Sequence, residues 1–102
     1  MSQTIVISAG RNILTKPMSA DSWNLFHVNI EQTLDASHAI YYTKRALGAG
    51  QYQGQGEESV TYVVEIHEQY LSDIERGLAK LAGLFKQDSI ALMVVSQTLF
   101  CG

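Results

Sequence analysis

The sequence predicts an α+β domain in which two helices cover one face of a four-stranded antiparallel sheet. Short runs rich in β-branched and aromatic residues alternate with longer segments in which apolar residues recur at helical spacing. These segments follow one another in the order β-α-β-β-α-β. The length of 102 residues suits a single domain, 1–102, with one core.

Local patterns define the first strand and the first helix. Residues 4–8 form the β-branched run Thr-Ile-Val-Ile-Ser, which predicts strand one. Ser19 is a typical N-cap, and an apolar staple between Met18 and Trp23 indicates the start of a helix over residues 20–33. The apolar stripe of this helix consists of Trp23, Phe26, Ile30 and Leu34.

The middle of the chain predicts a β-hairpin. Residues 39–47 are rich in strand-forming side chains, and residues 59–67 alternate between apolar and polar side chains. The segment between them, 48–56, is rich in glycine and glutamine and predicts a long, flexible tip.

The last third of the chain predicts a second helix and a fourth strand. Ser72 and Glu75 are the two ends of a capping box, which predicts a helix over residues 73–86. A continuous apolar run over residues 90–95 predicts strand four. The apolar stripe of the second helix consists of Ile74, Leu78, Leu81 and Phe85.

Two right-handed crossovers with a hairpin between them give the split βαβ arrangement called ferredoxin-like. In this topology the strand order is 4-1-3-2, so that strand one lies between strands three and four. The exit of strand one therefore meets the starts of both neighbours at one end of the sheet.

Composition and charge exclude several classes of function. The net charge is −3 and the basic residues are scattered, so nucleic acid and anionic membranes are poor partners. No apolar stretch approaches the roughly 20 residues that cross a bilayer. The only cysteine, Cys101, cannot form an intrachain disulfide, and residues 1–8 are typical of a strand rather than a signal peptide. We therefore expect a cytoplasmic protein.

Several short segments give the chain a resemblance to a known family. They are Gly10-Arg11-Asn12, the stretch from Met18 to Phe26, Gly50-Gln51-Tyr52 with Glu58-Ser59, and Phe85-Lys86-Gln87-Asp88-Ser89. In these segments the chain resembles the family of small bacterial and phage proteins called domain of unknown function thirty-five seventy-four. The resemblance implies a ferredoxin-like fold and brings no established activity. The glutamine-rich hairpin tip and the missing export signal depart from many such sequences.

The predicted topology gathers polar side chains at one end of the sheet. The side chains expected there are Arg11, Asn12, Glu57, Glu58, Gln87 and Asp88. An arginine among carboxylates can hold a small polar ligand or poise an acid/base pair, so Arg11, Asn12, Glu57, Glu58 and Asp88 are candidate ligand-binding residues. The alternative is an ion pair between Arg11 and Glu58 that only pins the end of the sheet.

No pattern in the sequence predicts a catalytic residue, a metal site or a cofactor. His27, His38 and His67 have no second ligand at a metal-binding spacing, and we expect structural or surface roles for them. Cys101 has no activating neighbour in the sequence. The glycines of segment 48–50 lack the lysine and the strand–loop–helix context of a phosphate-binding loop. We therefore expect no turnover by the chain itself.

The outer face of the predicted sheet is more apolar than a face in water should be. The side chains expected to face the helices are Ile5, Ile7, Ile40, Tyr42, Val60, Tyr62, Val64 and Ile66. The side chains then turned outward include Val6, Tyr41, Val63, Met93 and Val95. An uncovered apolar patch of this kind is typical of an interaction surface. The alternative is that the tail, 97–102, folds over it.

Two hypotheses about function follow. The first is a non-enzymatic protein-binding module that acts through the outward sheet face, as a homodimer or as a phage-type inhibitor of a host protein. The second is a small enzyme or small-molecule binder of the dimeric α+β barrel kind, with a pocket between sheet and helices. The side chains that would line this pocket are Tyr42, Tyr62, His27 and Trp23.

Overall fold

A computed structural model describes residues 1–52, 55–87 and 90–95, and for residues 46–52 and 55–57 it describes the backbone alone. The strands are β1 (Ser2–Gly10), β2 (Asn12–Ile13), β3 (Lys16–Pro17), β4 (Tyr41–Tyr52), β5 (Gln55–His67) and β6 (Ala91–Val95). The helices are α1 (Ala20–Ala36) and α2 (Leu71–Leu84), and a short 3₁₀ turn, Glu68–Tyr70, precedes α2.

The main sheet has the strand order β4-β5-β1-β6, and each of its pairings is antiparallel. Predicted strands one to four correspond to β1, β4, β5 and β6, so the predicted strand order is confirmed. Because α1 and α2 both bury their apolar stripes against the same face of this sheet, the predicted α+β, ferredoxin-like fold is confirmed as well.

Helix α1 begins where the sequence predicts and continues for almost one more turn. Ser19 is the N-cap, and its hydroxyl accepts a hydrogen bond from the backbone N–H of Ser22 at 3.2 Å. Met18 and Trp23 are both buried, as an apolar staple requires. The helix ends at Ala36, two residues before His38, which has a φ of 56°.

The predicted start of α2 is wrong. The helix begins at Leu71, whose backbone N–H still bonds the Glu68 carbonyl of the 3₁₀ turn. Because the 3₁₀ turn runs directly into the helix, no side chain caps it, and Ser72 and Glu75 lie inside the helix. The predicted stripe is nevertheless inside the protein: Ile74, Leu78 and Leu81 are buried and Phe85 is half-buried.

The arms of the hairpin are longer than predicted, and the long tip predicted over 48–56 is wrong in its extent. The backbone of Gly50 pairs with Glu57 and that of Tyr52 with Gln55, so most of the glycine- and glutamine-rich segment belongs to the ladder. The register shifts once, between Leu47 and Gly50, which is the signature of a bulge or similar irregularity. Backbone N–H and C=O groups can pair whatever the side chains are. The composition of segment 48–56 therefore predicted a longer loop than the structure has.

The core lies between the helices and one face of the sheet. Tyr42 is half-buried there, but the predicted inward position of Ile40 is wrong, since its side chain is 47% exposed. Ile40 precedes β4, the edge strand of the sheet. The other strand residues predicted to face the helices are all fully buried: Ile5, Ile7, Val60, Tyr62, Val64 and Ile66.

Candidate functional site

A small hairpin that the sequence does not predict holds Arg11 at the end of the sheet. Strands β2 and β3 pair with each other immediately after β1. The backbone N–H of Arg11 donates to the carbonyl of Glu58 at 2.9 Å, and the N–H of Met18 donates to the carbonyl of Arg11 at 2.9 Å. The backbone of Arg11 is thereby fixed against β5.

The predicted contact between Arg11 and Glu58 is confirmed. Nη1 of Arg11 lies 2.9 Å from Oε2 of Glu58, and its Nε donates to the carbonyl of Met18 at 2.8 Å. Nε2 of Gln87 donates to the carbonyl of Asn12 at 2.9 Å, which brings the segment after α2 to the same place. Because Glu58 is half exposed, the ion pair itself is worth at most about 1 kcal/mol.

The remaining predicted residues of this cluster are only partly described. Glu57 pairs with Gly50 through its backbone, and its side chain lies outside the described atoms, as does the whole of Asp88. The arrangement of Arg11 and Glu58 is accounted for by the ion pair and the strand ends. Binding of a ligand by Arg11, Asn12, Glu57, Glu58 and Asp88 stays a prediction.

The outward face of the main sheet, turned away from the helices, is organised in rows. Residues directly opposite each other on paired strands point to the same side of a sheet. The central row consists of Thr43, Val63, Val6 and Met93. The Tyr41 row beside it consists of Tyr41, Glu65, Thr4 and Val95. The Arg45 row on the other side consists of Arg45, Thr61, Ser8 and Ala91.

The five predicted interface residues all lie in the central row or the Tyr41 row. Val6 is half-buried between its strand neighbours, whereas Val63 is 42% exposed and Met93 is 57% exposed. Tyr41 and Val95 are exposed in the adjacent row. The outward face therefore has an apolar centre, as predicted; the tail 97–102, its alternative cover, lies outside the described residues.

A polar network between α1 and β4 is the feature that the sequence did not predict. Oε2 of Glu31 accepts hydrogen bonds from the Tyr62 hydroxyl at 3.0 Å and from Nζ of Lys44 at 3.1 Å. Burial, followed by the hydrogen bond to Glu31, raises the pKa of Tyr62. One feature of the sequence indicates this network. Lys44 lies opposite Tyr62 on the helix-facing side of an edge strand, where an apolar side chain is expected.

His27 lies next to this network in the core. It is 8% exposed, and its ring packs edge-on against Trp23 with the centroids 4.3 Å apart. Burial and then the charge of Lys44 lower the pKa of His27, while Glu31 acts in the opposite direction. Its Nε2 has no hydrogen-bond partner among the described residues. The imidazole is therefore neutral at pH 7, and a structural role for it stays a prediction.

The side chains proposed for a pocket belong to the core. Trp23, His27 and Tyr62 are buried, and the rings of Tyr42 and Tyr62 contact each other edge-on at 6.0 Å. Of the other two histidines, His38 packs against Tyr70 at 4.9 Å and His67 is exposed at the end of β5.

Neither a cluster of metal-binding side chains nor a membrane-spanning helix is found in the described part of the chain. Within residues 1–52, 55–87 and 90–95, no group of three or more His, Cys, Asp or Glu side chains is placed to hold a metal ion. The helices described here are too short or too polar to span a bilayer. Cys101 lies outside the described residues.

Sequence comparisons do not place the chain in a family. No family model matches it, so the resemblance to the domain of unknown function thirty-five seventy-four stays a prediction. No curated protein matches its sequence.

Solved structures share its fold. A phage SAM lyase in complex with S-methyl-5′-thioadenosine matches with a TM-score of 0.60 and 17% identity, over 92% of this chain and 80% of the lyase. The divalent cation tolerance protein CutA from Archaeoglobus fulgidus matches with a TM-score of 0.52 and 11% identity, over 97% of this chain and 88% of that chain. The divalent cation tolerance protein from Thermus thermophilus matches with a TM-score of 0.54 and 11% identity, over 97% of this chain and 88% of that chain. At these identities the similarity establishes the fold alone, that of small ferredoxin-like α+β proteins.

Proposed function

We propose that the chain is a non-enzymatic protein-binding module that acts through the outward face of its sheet, and that its partner is a second copy of itself. The observation that carries the proposal is the exposed apolar centre of this face, Val63 and Met93 beside Val6. A two-layer sandwich in water normally places polar side chains there. Burying such a patch gains about 25 cal/mol for each Å² of apolar surface.

A second copy fits this surface because it presents the same exposed apolar centre in return. Sheets pack face to face with their strands nearly aligned, and apolar rows then meet apolar rows. The phage-type inhibitor is the rival within the same class, since a host protein would occupy the same face. The proposal includes two further expectations. The chain is a member of the family called domain of unknown function thirty-five seventy-four, and it is located in the cytoplasm.

The deciding experiment is light scattering at micromolar concentration on the wild type and on Met93→Glu. We expect a wild-type dimer and a folded, monomeric variant, because an unpaired carboxylate is strongly disfavoured in an apolar interface. Leu84→Glu is the matched control: Leu84 is 66% exposed at the end of α2, and the variant should dimerise like the wild type. A wild type that stays monomeric, or a dimer that tolerates Met93→Glu, would rule the proposal out.

A second candidate function is the binding of a small molecule at the sheet end that holds Arg11 and Glu58. The phage lyase favours it, because that protein shares the fold over 92% of this chain and its structure contains S-methyl-5′-thioadenosine. An adenosine-type ligand offers hydroxyl and ring nitrogen atoms to an arginine and a half-exposed carboxylate.

Calorimetry with S-methyl-5′-thioadenosine and with SAM tests this candidate on the wild type, Arg11→Ala and Glu58→Gln. Binding to the wild type that both variants lose would support it. Arg76→Ala is the control, since Arg76 forms an exposed ion pair with Asp73 on α2, away from the sheet end. Release of S-methyl-5′-thioadenosine from SAM by the wild type would replace the non-enzymatic proposal with a lyase.

A further inference from the structure

The outward face carries one acidic and one basic side chain on opposite sides of the central row. Glu65, in the Tyr41 row, accepts a hydrogen bond from Oγ of Ser2 at 3.0 Å and lies opposite Tyr41, whose pKa it raises. Arg45, in the Arg45 row, is exposed. The ion pairs found among the described residues join other side chains, so neither Glu65 nor Arg45 has an oppositely charged partner there.

We infer that two copies pack face to face about a two-fold axis that runs along the central row, with Glu65 of each copy paired with Arg45 of the other. The inference rests on the proposed self-association and adds its geometry. It uses two unlike charges on either side of an apolar stripe, each without an ion partner among the described residues of its own chain. A two-fold rotation makes this pattern complementary to a second copy of itself, and few other symmetry operations do so.

The register shows which residues would meet. Rotation about the central row brings each member of that row opposite its own counterpart: Val63 opposite Val63 and Met93 opposite Met93. The same rotation lays the Tyr41 row of one copy over the Arg45 row of the other. Tyr41 then lies directly over Arg45 of the second copy, which permits a cation–π contact.

The distances suit an ion pair. Stacked sheets lie about 10 Å apart and neighbouring strands about 4.8 Å apart. Glu65 is on β5 and Arg45 is on the adjacent strand, β4, so in the dimer they are displaced sideways by about one strand spacing. A glutamate and an arginine side chain together span such a gap.

A two-fold axis parallel to the strands is the competing geometry. It would lay β4 over β6, so that Arg45 would meet Ala91 and each Glu65 would stay among residues of its own row. The apolar contact would be similar in both dimers, but only the axis along the central row pairs the charges. Charge reversal therefore distinguishes them.

The experiment measures the dimer dissociation constant by sedimentation for the wild type, Arg45→Glu, Glu65→Arg and the double variant. Each single reversal places like charges opposite each other twice in the dimer and should weaken it at least about tenfold. The double variant should recover to within about threefold of the wild type. An equimolar mixture of the two single variants should form heterodimers in preference, since every cross-pair in them is of opposite sign.

Lys80→Glu is the matched control, because it makes the same charge change at an exposed position of α2 and should leave the dimer unchanged. Melting curves verify that each variant is folded. A wild type without a dimer overturns both this inference and the proposed function. A dimer that Met93→Glu breaks, but that ignores both charge reversals and shows no heterodimer preference, overturns the axis along the central row and leaves the self-association standing.

Discussion

The two faces of the main sheet follow the same alternation along each strand, yet they meet different surroundings. In β5, Val64 points to the helices and is fully buried, while its neighbour Val63 points outward and is 42% exposed. In β1, Ile5 and Ile7 are likewise buried on either side of the half-buried Val6. Alternation thus determines which side a residue lies on, but whether that side is covered depends on what packs against it.

The polar groups of the two faces show the same difference. Tyr62 donates to Glu31 from within the core, whereas Tyr41 lies opposite Glu65 on the exposed outward face. A phenol is next to a carboxylate in both cases. Water surrounds the exposed pair and is largely excluded from the buried one, so we expect different contributions to stability.

The largest expected difference in stability is between shortening the buried Val64 and shortening the exposed Val63 next to it. Val64→Ala should lower the free energy of unfolding by about 2 kcal/mol, since it removes buried methyl groups and leaves a small cavity. Val63→Ala should lower it by less than about 0.5 kcal/mol. Urea unfolding measures both, in the Met93→Glu background so that association does not contribute. Equal losses would mean that the outward face is covered within the monomer.

A smaller effect is expected from removing the two tyrosine hydroxyls. Tyr62→Phe should lower the free energy of unfolding by about 1 kcal/mol, because a buried hydrogen bond is lost while Glu31 keeps Lys44 as a partner. Tyr41→Phe makes the same chemical change on the exposed face and should leave the melting temperature where it is. Calorimetric melting of both variants is the measurement; a stable Tyr62→Phe would show that the network contributes nothing to the fold.

The fold and the contact between Arg11 and Glu58 could be predicted from the sequence, because both depend on local or topological rules. Ser19 caps α1 through its own neighbours, and the contact of Arg11 with Glu58 follows from strand order and antiparallel pairing alone. Both can therefore be predicted from the sequence alone.

The missed features depend on how elements pack in space. Glu31 and Lys44 are 13 positions apart on different elements, and nothing local indicates that they share the hydroxyl of Tyr62. The start of α2 was misplaced because a 3₁₀ turn, which has little sequence signature, took over from the capping box at Ser72. Long-range packing decided both.

The contrast between covered and open positions also applies to the two glycines of α2. A methyl group at Gly77 would lie 2.6 Å from Cγ2 of Thr33, whose hydroxyl is held by the carbonyl of Asn29 at 2.9 Å. Overpacking of this kind costs about 1–3 kcal/mol, which exceeds the gain of about 1 kcal/mol in helix propensity. Gly77→Ala should therefore be destabilising by roughly 1 kcal/mol.

Gly83→Ala is the matched control for Gly77→Ala. A methyl group there has nothing within 4 Å, so the variant should be neutral or more stable by up to about 1 kcal/mol. Thermal unfolding of both variants checks the pair. A gain in stability for Gly77→Ala would show that the two helices separate easily at Thr33.

The smallest effect expected is a pH dependence of stability that originates on the helix-facing side, at His27. Burial and Lys44 place the folded-state pKa of His27 below its ordinary value of 6.5, against the opposing charge of Glu31. The unfolded chain therefore binds this proton more tightly than the folded chain. The contribution of His27 is fully present above pH 6.5, and the free energy of unfolding falls as the pH drops through that value toward the lower folded-state pKa.

Urea unfolding in steps from about pH 7.5 to about pH 5 measures this slope. This pH range brackets the ordinary pKa of histidine. His27→Gln should flatten the slope in this window, even if it lowers stability at every pH. A slope that survives His27→Gln would place the titrating group elsewhere in the chain. The buried imidazole would then be without influence on the acid side of the stability curve.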